Sequence, residues 1–311
     1  MHGLLSLARQ GAVAATVAIG LTSLFSVAPS TPPTGPLEQR IAQLSAEVRQ
    51  LEQQRDMPAH ILSRHRNSIC YVYAVYRFDG VSRWMQPPRM HLSGTGFVAA
   101  EGWIATNRHV AEPWWGDEEA EVLRVHGGRP KLERLLAFFP GLRAPLELTQ
   151  VTPAPGNDVA LAHFVPPAGG APPPLQIAAN APEPGDAVLV LGYPMGLEGL
   201  LAKSPKLVSR QASRAPDELA AARRLSSLAL IRPSATQGHI GDVVGDKLLY
   251  DASTARGASG APVFNARGEV VGINTAYLDG FSGGTLGISA NVLRPLLEKV
   301  QPANSATVAA K

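Results

Sequence analysis

Short runs of apolar and β-branched residues recur along the chain from Ser68 onward, and Gly, Pro, Asn and Asp separate them. Several runs alternate apolar and polar positions with a period of two, which is the period of a half-buried β-strand. Short strands with turn residues between them are typical of a β-sandwich or a β-barrel. We therefore predict an all-β domain whose strands include SICYVYAVYRF, GTGFVA, GWIAT, DVALAHF, DAVLVLG, KLLYDAS, APVFN, EVVGINTAY and LGISA.

Proline and charge patterns subdivide this region. Residues 166–174 (PPAGGAPPP) cannot form a central strand, because proline lacks the N–H that a sheet needs, so they predict a connector between two β halves. A helix is predicted at about residues 216–228, since Pro216 followed by two acidic residues makes a favourable helix start. A second helix is predicted at residues 291–300, followed by a flexible tail at 301–311.

The N-terminus carries an uncharged apolar stretch, residues 11–28, behind a single arginine. Its length lies between that of a signal-peptide core and that of a membrane-spanning helix. A small-x-small motif ends at Ala28, but Pro29 disfavours cleavage there, so residues 1–30 are either a signal peptide or a retained membrane anchor. Both alternatives predict export to the bacterial periplasm or cell envelope, and the second adds an inner-membrane tether.

Residues 31–60 combine a proline-rich linker with a predicted helix. Apolar residues in this helix are spaced 4, 3, 4 and 3, which is the a/d pattern of a coiled coil. The segment is short for an independent coiled coil, so two interpretations stay open. The helix either forms a homo-oligomer through residues 37–51 or packs on its own domain. The apolar positions are Leu37, Ile41, Leu44, Val48 and Leu51.

Composition narrows the classes of function. The chain has 311 residues with 45% hydrophobic content, which is enough for a substantial core. Its net charge of +3 is not gathered into a basic stripe, so no nucleic-acid partner is predicted. Cys70 is the single cysteine, which excludes an intrachain disulfide and a cysteine-rich zinc site. No metal or cofactor is predicted.

Three polar residues stand where apolar strands end or turn. His109 stands at the end of the predicted strand that begins with GWIAT. Asp158 begins DVALAHF, and Ser259 lies in the glycine-flanked turn GASG. Flanking glycines let backbone N–H groups converge beside the serine hydroxyl, as an oxyanion hole requires. The order His, Asp, Ser excludes an α/β-hydrolase, which needs a histidine after the serine, because the last histidine here is His239.

The blocks around these three residues resemble trypsin-like serine proteases of the bacterial HtrA/Deg type. SGTGF at 93–97 and TNRHV at 106–110 resemble the family's GSGF…TNxHV block, and NDVAL at 157–161 resembles NDxAxL. GASGAPVFN at 257–265 resembles the family's GNSGGPLFN, and the later VVGINTA, LGYPMG and LGISA segments also have counterparts. The resemblance covers roughly residues 65–300 and implies two six-stranded antiparallel β-barrels with the active site between them.

The resemblance implies a role for each candidate residue. Ser259 is the nucleophile, His109 the general base and Asp158 the residue that orients the histidine. The backbone N–H groups of Gly257 and Ser259, together with that of Ala258, are expected to bind the oxyanion. The family's usual residue at position 258 is Asn, so alanine is a departure from its pattern.

The primary specificity pocket is predicted from the same resemblance. Its base is neutral, which argues against a preference for Arg or Lys and favours small or medium apolar side chains. The pocket residues are predicted to be Ser253, Thr254, Asn274, Thr275 and Ala276.

The resemblance also implies a domain plan. The protease domain is predicted at 61–300, with barrels at about 61–170 and 175–292. Residues 211–244 carry extra length where the family keeps regulatory loops. Because the chain ends about ten residues after the last predicted helix, no PDZ domain is expected.

Three functions follow from these patterns. The first is an exported serine endopeptidase that cleaves polypeptides through an acyl-enzyme, with a role in envelope protein quality control. The second is a gated or inactive protease-fold scaffold that binds polypeptides or a partner, motivated by alanine at positions 258 and 261 and by the extra length at 211–244. The third is a membrane-tethered interaction protein in which the coiled segment is the functional part.

Overall fold

The computed structural model describes residues 35–81, 89–277 and 284–300, and it divides the chain into two units, Met1–Gln50 and Leu51–Lys311. The predicted signal peptide or anchor at 1–30 and the predicted tail at 301–311 lie outside the described residues. The first helix, α1, is Gly35–His65. No helix in the described part of the chain has the length and apolar character needed to cross a membrane.

Six antiparallel strands form a closed barrel in the first half of the protease region. The strand order around the barrel is β1-β2-β3-β6-β5-β4, and β1 closes it by pairing with both β2 and β4. The strands are β1 (Ile69–Asp79), β2 (Met90–Ala100), β3 (Trp103–Thr106), β4 (Arg129–Phe138), β5 (Leu146–Pro153) and β6 (Ala160–Phe164).

The second half repeats this arrangement with six further strands. Their order is β7-β8-β9-β12-β11-β10, which matches the first barrel strand for strand. The strands are β7 (Ala187–Gly192), β8 (Ser234–Val244), β9 (Lys247–Tyr250), β10 (Pro262–Phe264), β11 (Val270–Tyr277) and β12 (Thr285–Ser289). The predicted fold of two six-stranded antiparallel barrels is thus confirmed.

Successive side chains of β1 point alternately into two different cores, and this alternation joins the two barrels. Cys70, Val72 and Ala74 point into the core of the first barrel. The residues between them, Tyr71 among them, pack instead against β7 of the second barrel. There the ring of Tyr71 meets that of Tyr193 edge-on, and the Tyr193 hydroxyl donates to a backbone carbonyl of β1. This shared layer fixes the two barrels face to face, which places their loops around one cleft.

Cys70 is fully buried in the first barrel. Burial raises the pKa of its thiol far above the ordinary value, because the thiolate would lose its hydration. The reactive thiolate form is therefore suppressed, and Cys70 is a packing residue of the core.

In the part of the chain that the structure describes, six α-helices follow α1: α2 (Arg108–Ala111), α3 (Glu118–Val125), α4 (Gly196–Ala202), α5 (Lys206–Ala212), α6 (Glu218–Ser227) and α7 (Arg294–Val300). Helix α6 lies inside the predicted range 216–228, and Asp217 caps it by accepting from the N–H of Ala220 at 2.7 Å. Helix α7 ends at the predicted residue and begins after a 3₁₀ turn, Ala290–Leu293. Helices α3, α4 and α5 were not predicted, because each spans only about two turns and gives little periodicity.

Residues 211–244, expected to carry extra length and a helix, contain α6. Their last third is β8, which pairs with β7 and β9 and therefore belongs to the second barrel. The connection between β7 and β8 contains α4, α5 and α6. Apolar residues of these helices join the same core layer that unites the barrels, so this connection is an integral part of the domain.

Candidate active site

His109 and Asp158 meet through two hydrogen bonds at the edge of the first barrel. The His109 backbone N–H donates to Asp158 Oδ1 at 2.9 Å, and His109 Nδ1 lies 2.7 Å from Asp158 Oδ2. Because an ionised carboxylate can only accept, Nδ1 carries the hydrogen and Nε2 is left as the base. The side chain of Asn107 also donates to the Asp158 carbonyl at 2.6 Å, which ties the two loops together. The contact between His109 Nδ1 and Asp158 Oδ2 therefore fixes the tautomer of the imidazole.

Thr275 connects this pair to the second barrel. The pairing of β11 with β12 shifts register between Asn274 and Ala276, so Thr275 lies at a β-bulge. A bulge re-aims the side chain at its position, and here the Thr275 hydroxyl donates to Asp158 Oδ2 at 2.8 Å. Thr275 was predicted in the specificity pocket, but its hydroxyl instead contacts the carboxylate that orients the histidine.

Ser259 lies in the β9–β10 loop and is half-buried. Its hydroxyl donates to the Thr275 carbonyl at 3.1 Å, and the hydrogen bonds of the described residues include none between Ser259 and His109. A rotation about the Cα–Cβ bond of Ser259 would turn its hydroxyl from the Thr275 carbonyl towards another acceptor. Hydrogen bonds between a nucleophile and its base often form fully only when substrate binds. The structure thus brings Ser259 beside Thr275, which itself contacts Asp158, in the same cleft as His109.

Gly257 is required by the geometry of this loop. Its φ is +89°, a region that side chains disfavour. A Cβ at this position would also lie 2.6 Å from both the Gly196 nitrogen and the Tyr193 oxygen. The loop can therefore approach the β7–α4 turn only because residue 257 is glycine.

Two of the three backbone N–H groups predicted to form the oxyanion hole are available to bind a ligand. The Ala258 N–H was predicted as a third donor, but it already donates to the carbonyl of Ala255 within the loop at 3.0 Å. The N–H groups of Gly257 and Ser259 have no backbone acceptor among the described residues. Two donors that flank the hydroxyl are thus free to bind a negatively charged oxygen.

The cleft beside these residues has a volume of about 940 Å³, and its lining includes His109, Gly257 and Ser259. Of the predicted pocket residues, Thr254 lines this cleft, whereas Ser253 is exposed and does not. Asn274 is also absent from the lining, because it is only 2% exposed and makes hydrogen bonds inside the domain. The side chain of Ala276 lies outside the described residues.

One wall of this cleft was not foreseen from the sequence. His91 at the start of β2 contacts Glu218 of α6, with 3.2 Å between Nε2 and Oε2. Both residues line the cleft, together with Glu198 and Arg256. Glu218 had been noted only as part of a helix start, because no local pattern shows which distant strand a helix meets.

Comparisons with known proteins agree with this arrangement. A model of the trypsin-like peptidase domain matches residues 94–273. A probable periplasmic serine endoprotease, DegP-like, from Chlamydia muridarum is 29% identical over 217 residues, which are 68% of this chain and 34% of that protein. A protein of the same description from Rhizobium meliloti is 57% identical over 44 residues, which are 14% of this chain and 8% of that protein.

The chain spans about a third of the length of the Chlamydia relative that it matches. Among solved structures, a protease from M. tuberculosis in its active form has a TM-score of 0.50 at 20% identity, covering 78% of this chain and 86% of that one. That likeness shows a shared fold. The matched domain model covers more than half of the chain and includes His109, Asp158 and Ser259, so the chain belongs to the trypsin-like peptidase family.

Proposed function

We propose that the protein is a serine endopeptidase that cleaves polypeptides through a Ser-His-Asp triad. The observation that carries this proposal is the 2.7 Å contact between His109 Nδ1 and Asp158 Oδ2, in a cleft that also contains Ser259. Nucleophile, base and orienting carboxylate are the three parts that acyl transfer by serine needs.

The reaction follows from these positions. Ser259 Oγ attacks the peptide carbonyl carbon while His109 Nε2 takes the hydroxyl proton, and Asp158 stabilises the resulting imidazolium. The carbonyl oxygen becomes an oxyanion, which accepts hydrogen bonds from the N–H groups of Gly257 and Ser259. The imidazolium then gives its proton to the leaving amine as the C–N bond breaks. A water molecule then attacks the acyl carbon while His109 Nε2 takes its proton, and the imidazolium returns this proton to Ser259 Oγ as the ester bond breaks, which releases the acid product and restores the free enzyme.

The location and the preferred substrates form part of the proposal. The relatives are described as periplasmic endoproteases, which supports export directed by residues 1–30 and a role in protein quality control in the envelope. The neutral side chain of Thr254, which lines the cleft, favours cleavage after small or medium apolar residues, and one methylene in such a pocket changes selectivity about 10–200-fold.

Digestion of fluorescently labelled casein tests the proposed activity. The wild-type protein is expected to release soluble fragments with new N-termini from inside the casein chains, which is the product pattern of an endopeptidase. Sequencing of the fragments by mass spectrometry measures this. Binding of casein without any cleavage would contradict the proposal.

A protease-fold scaffold is the second candidate. It is favoured by the hydrogen bond from the Ser259 hydroxyl to the Thr275 carbonyl, in which the hydroxyl hydrogen is donated to that carbonyl and not to His109. In the casein experiment a scaffold binds the protein substrate and leaves it intact.

We further propose that residues 37–51 associate with a second copy of this chain. Leu37, Ile41, Leu44 and Val48 are between 45% and 65% exposed, although they follow the spacing of a coiled-coil seam. An exposed apolar stripe with heptad spacing is covered well by an identical helix.

Replacing these four exposed apolar residues together by serine is expected to convert the oligomer to a monomer in solution. Sedimentation equilibrium measures the mass. A wild-type protein that sediments as a monomer at high micromolar concentration would contradict this proposal. The control is a variant with four serines at exposed polar positions of the same helix, namely Gln39, Arg40, Gln43 and Glu47.

A further inference from the structure

Four consecutive carbonyl groups of the nucleophile loop are held by hydrogen bonds. The Arg256 carbonyl accepts from the Met195 N–H at 2.6 Å, and the Ser259 carbonyl accepts from the Thr95 N–H at 2.8 Å. Between them, the Gly257 carbonyl accepts from a side chain, and the Ala258 carbonyl accepts both from a side chain and from the Ala261 N–H at 3.0 Å. The loop is therefore restrained at every peptide from 256 to 259.

Asn274 holds the carbonyl of Ala258. Its Nδ2 donates to that oxygen at 3.0 Å, and its Oδ1 accepts from the Tyr250 hydroxyl at 2.6 Å. A backbone carbonyl only accepts, so the NH₂ group of Asn274 must face Ala258, which leaves Oδ1 for the tyrosine. Asn274 and Tyr250 are both buried, at 2% and 1% exposure. The amide is consequently fixed at both ends.

Thr95 holds the carbonyl of Gly257 from the other barrel. Its Oγ1 donates to that oxygen at 2.8 Å and accepts from the Tyr193 N–H at 3.1 Å. Its backbone N–H meanwhile holds the Ser259 carbonyl. Thr95 is fully buried, so a competing water cannot take over these contacts easily.

The direction of each oxyanion donor follows from these carbonyl contacts. In a trans peptide the C=O and the following N–H point to opposite sides. The bond from Asn274 to the Ala258 carbonyl therefore turns the Ser259 N–H away from Asn274. The Gly257 N–H shares its peptide with the Arg256 carbonyl, which accepts from the Met195 N–H. The bond from Thr95 holds the peptide on the other side of Gly257, and because glycine has little steric resistance to rotation, this bond supplies a restraint that the backbone lacks.

We infer that Thr95 and Asn274 are positioning residues, which hold the nucleophile loop in the form whose Gly257 and Ser259 N–H groups bind the oxyanion. This inference rests on the proposed function and extends it. It assigns Asn274 to the loop instead of the specificity pocket. It also gives the first barrel a part in shaping the oxyanion hole of the second.

Inactivation by a fluorophosphonate, resolved into kinact and KI on the full-length protein, tests the inference. Thr95→Val and Asn274→Leu are expected to lower kinact about 10–100-fold, because a misdirected donor retains only part of the effect of an intact one. KI and the pH midpoint of inactivation should stay at wild-type values, since the contact between His109 and Asp158 is untouched. Thr95→Ser, which keeps the hydroxyl, should restore kinact to within about threefold of wild type.

Ser68→Ala is the matched control. Ser68 is also buried and donates to a backbone carbonyl, that of Pro173, at 2.6 Å, but it lies outside the loop. Its loss should lower the melting temperature and leave kinact unchanged. If the two main variants fail to fold, Tyr250→Phe decides, because it releases only the amide of Asn274 and should lower kinact about threefold or more. Folded variants with wild-type kinact, including Tyr250→Phe, would overturn the inference.

A measurement without turnover separates this inference from the proposed function. The ¹⁵N-amide resonances of Gly257 and Ser259 should shift in Thr95→Val and Asn274→Leu and stay in place in Ser68→Ala. Unchanged resonances would overturn the positioning role even if the wild-type protein reacts with the probe. Shifted resonances in a protein that never reacts would support the positioning role and contradict the proposed activity.

Discussion

Ser259→Ala is expected to lower kcat for casein hydrolysis by about 10⁶-fold, the loss typical when a serine nucleophile is removed from a complete triad. Alanine keeps the Cβ and the backbone N–H groups of the loop, so the fold and the oxyanion donors should survive. The Ser259 hydroxyl donates to the Thr275 carbonyl at 3.1 Å, in the half-buried wall of the cleft. Loss of this single hydrogen bond should change the melting temperature little. Initial rates of fragment release, followed beside thermal melting, measure both effects.

Ser63→Ala is the matched control for this variant. Ser63 is an exposed serine on α1 whose hydroxyl also donates to a backbone carbonyl, that of His60, at 2.8 Å. It should hydrolyse casein at the wild-type rate. If Ser259→Ala retained even a tenth of the wild-type rate, the hydrolysis would come from another residue or a contaminating protease.

Asp158→Asn is expected to lower kcat by about 10⁴-fold. The asparagine amide can donate to His109 Nδ1, which would move the ring hydrogen to Nε2 and leave no base facing Ser259. The shape of the site should persist, because the remaining oxygen at the Oδ1 position can still accept from the His109 N–H, and the Thr275 hydroxyl can turn to accept from the new amide. KM should therefore change much less than kcat, and steady-state kinetics on casein at several pH values measures both.

Asp186→Asn serves as the control for that substitution. Asp186 likewise accepts from a backbone N–H, that of Glu183 at 2.9 Å, but lies on the surface before β7. Its substitution should leave kcat unchanged. A loss of less than tenfold in Asp158→Asn would show that the carboxylate does not set the tautomer of His109.

The sequence predicted the parts of the site that local motifs define. The turn GASG indicated a glycine at the strained position 257 and backbone donors beside Ser259, and the structure places a positive φ there. Apolar runs also marked the strands beside His109 and Asp158. The predicted strand to His109 was too long, because β3 ends at Thr106 and His109 lies in the short helix α2, while Asp158 precedes β6 by two residues. The two barrels themselves followed from the resemblance that these motifs carry.

Contacts between distant segments could not be predicted in the same way. Asn274 belongs to a recognisable motif, but nothing near it in the chain shows that its amide meets the Ala258 carbonyl. The same holds for Thr95, which reaches the loop from the other barrel. Ala258 was expected to donate to the oxyanion because its neighbours do, and only the folded loop shows its N–H turned towards Ala255.

Covalent labelling of Ser259 tests the central claim most directly. The full-length protein, incubated with a fluorophosphonate and digested for mass spectrometry, is expected to carry one adduct on the peptide that contains Ser259. Ser259→Ala should carry none, and prior denaturation should abolish the reaction, because labelling needs His109 and the oxyanion donors in place. A folded wild-type protein that stays unlabelled, or an adduct on a different residue, would contradict the account.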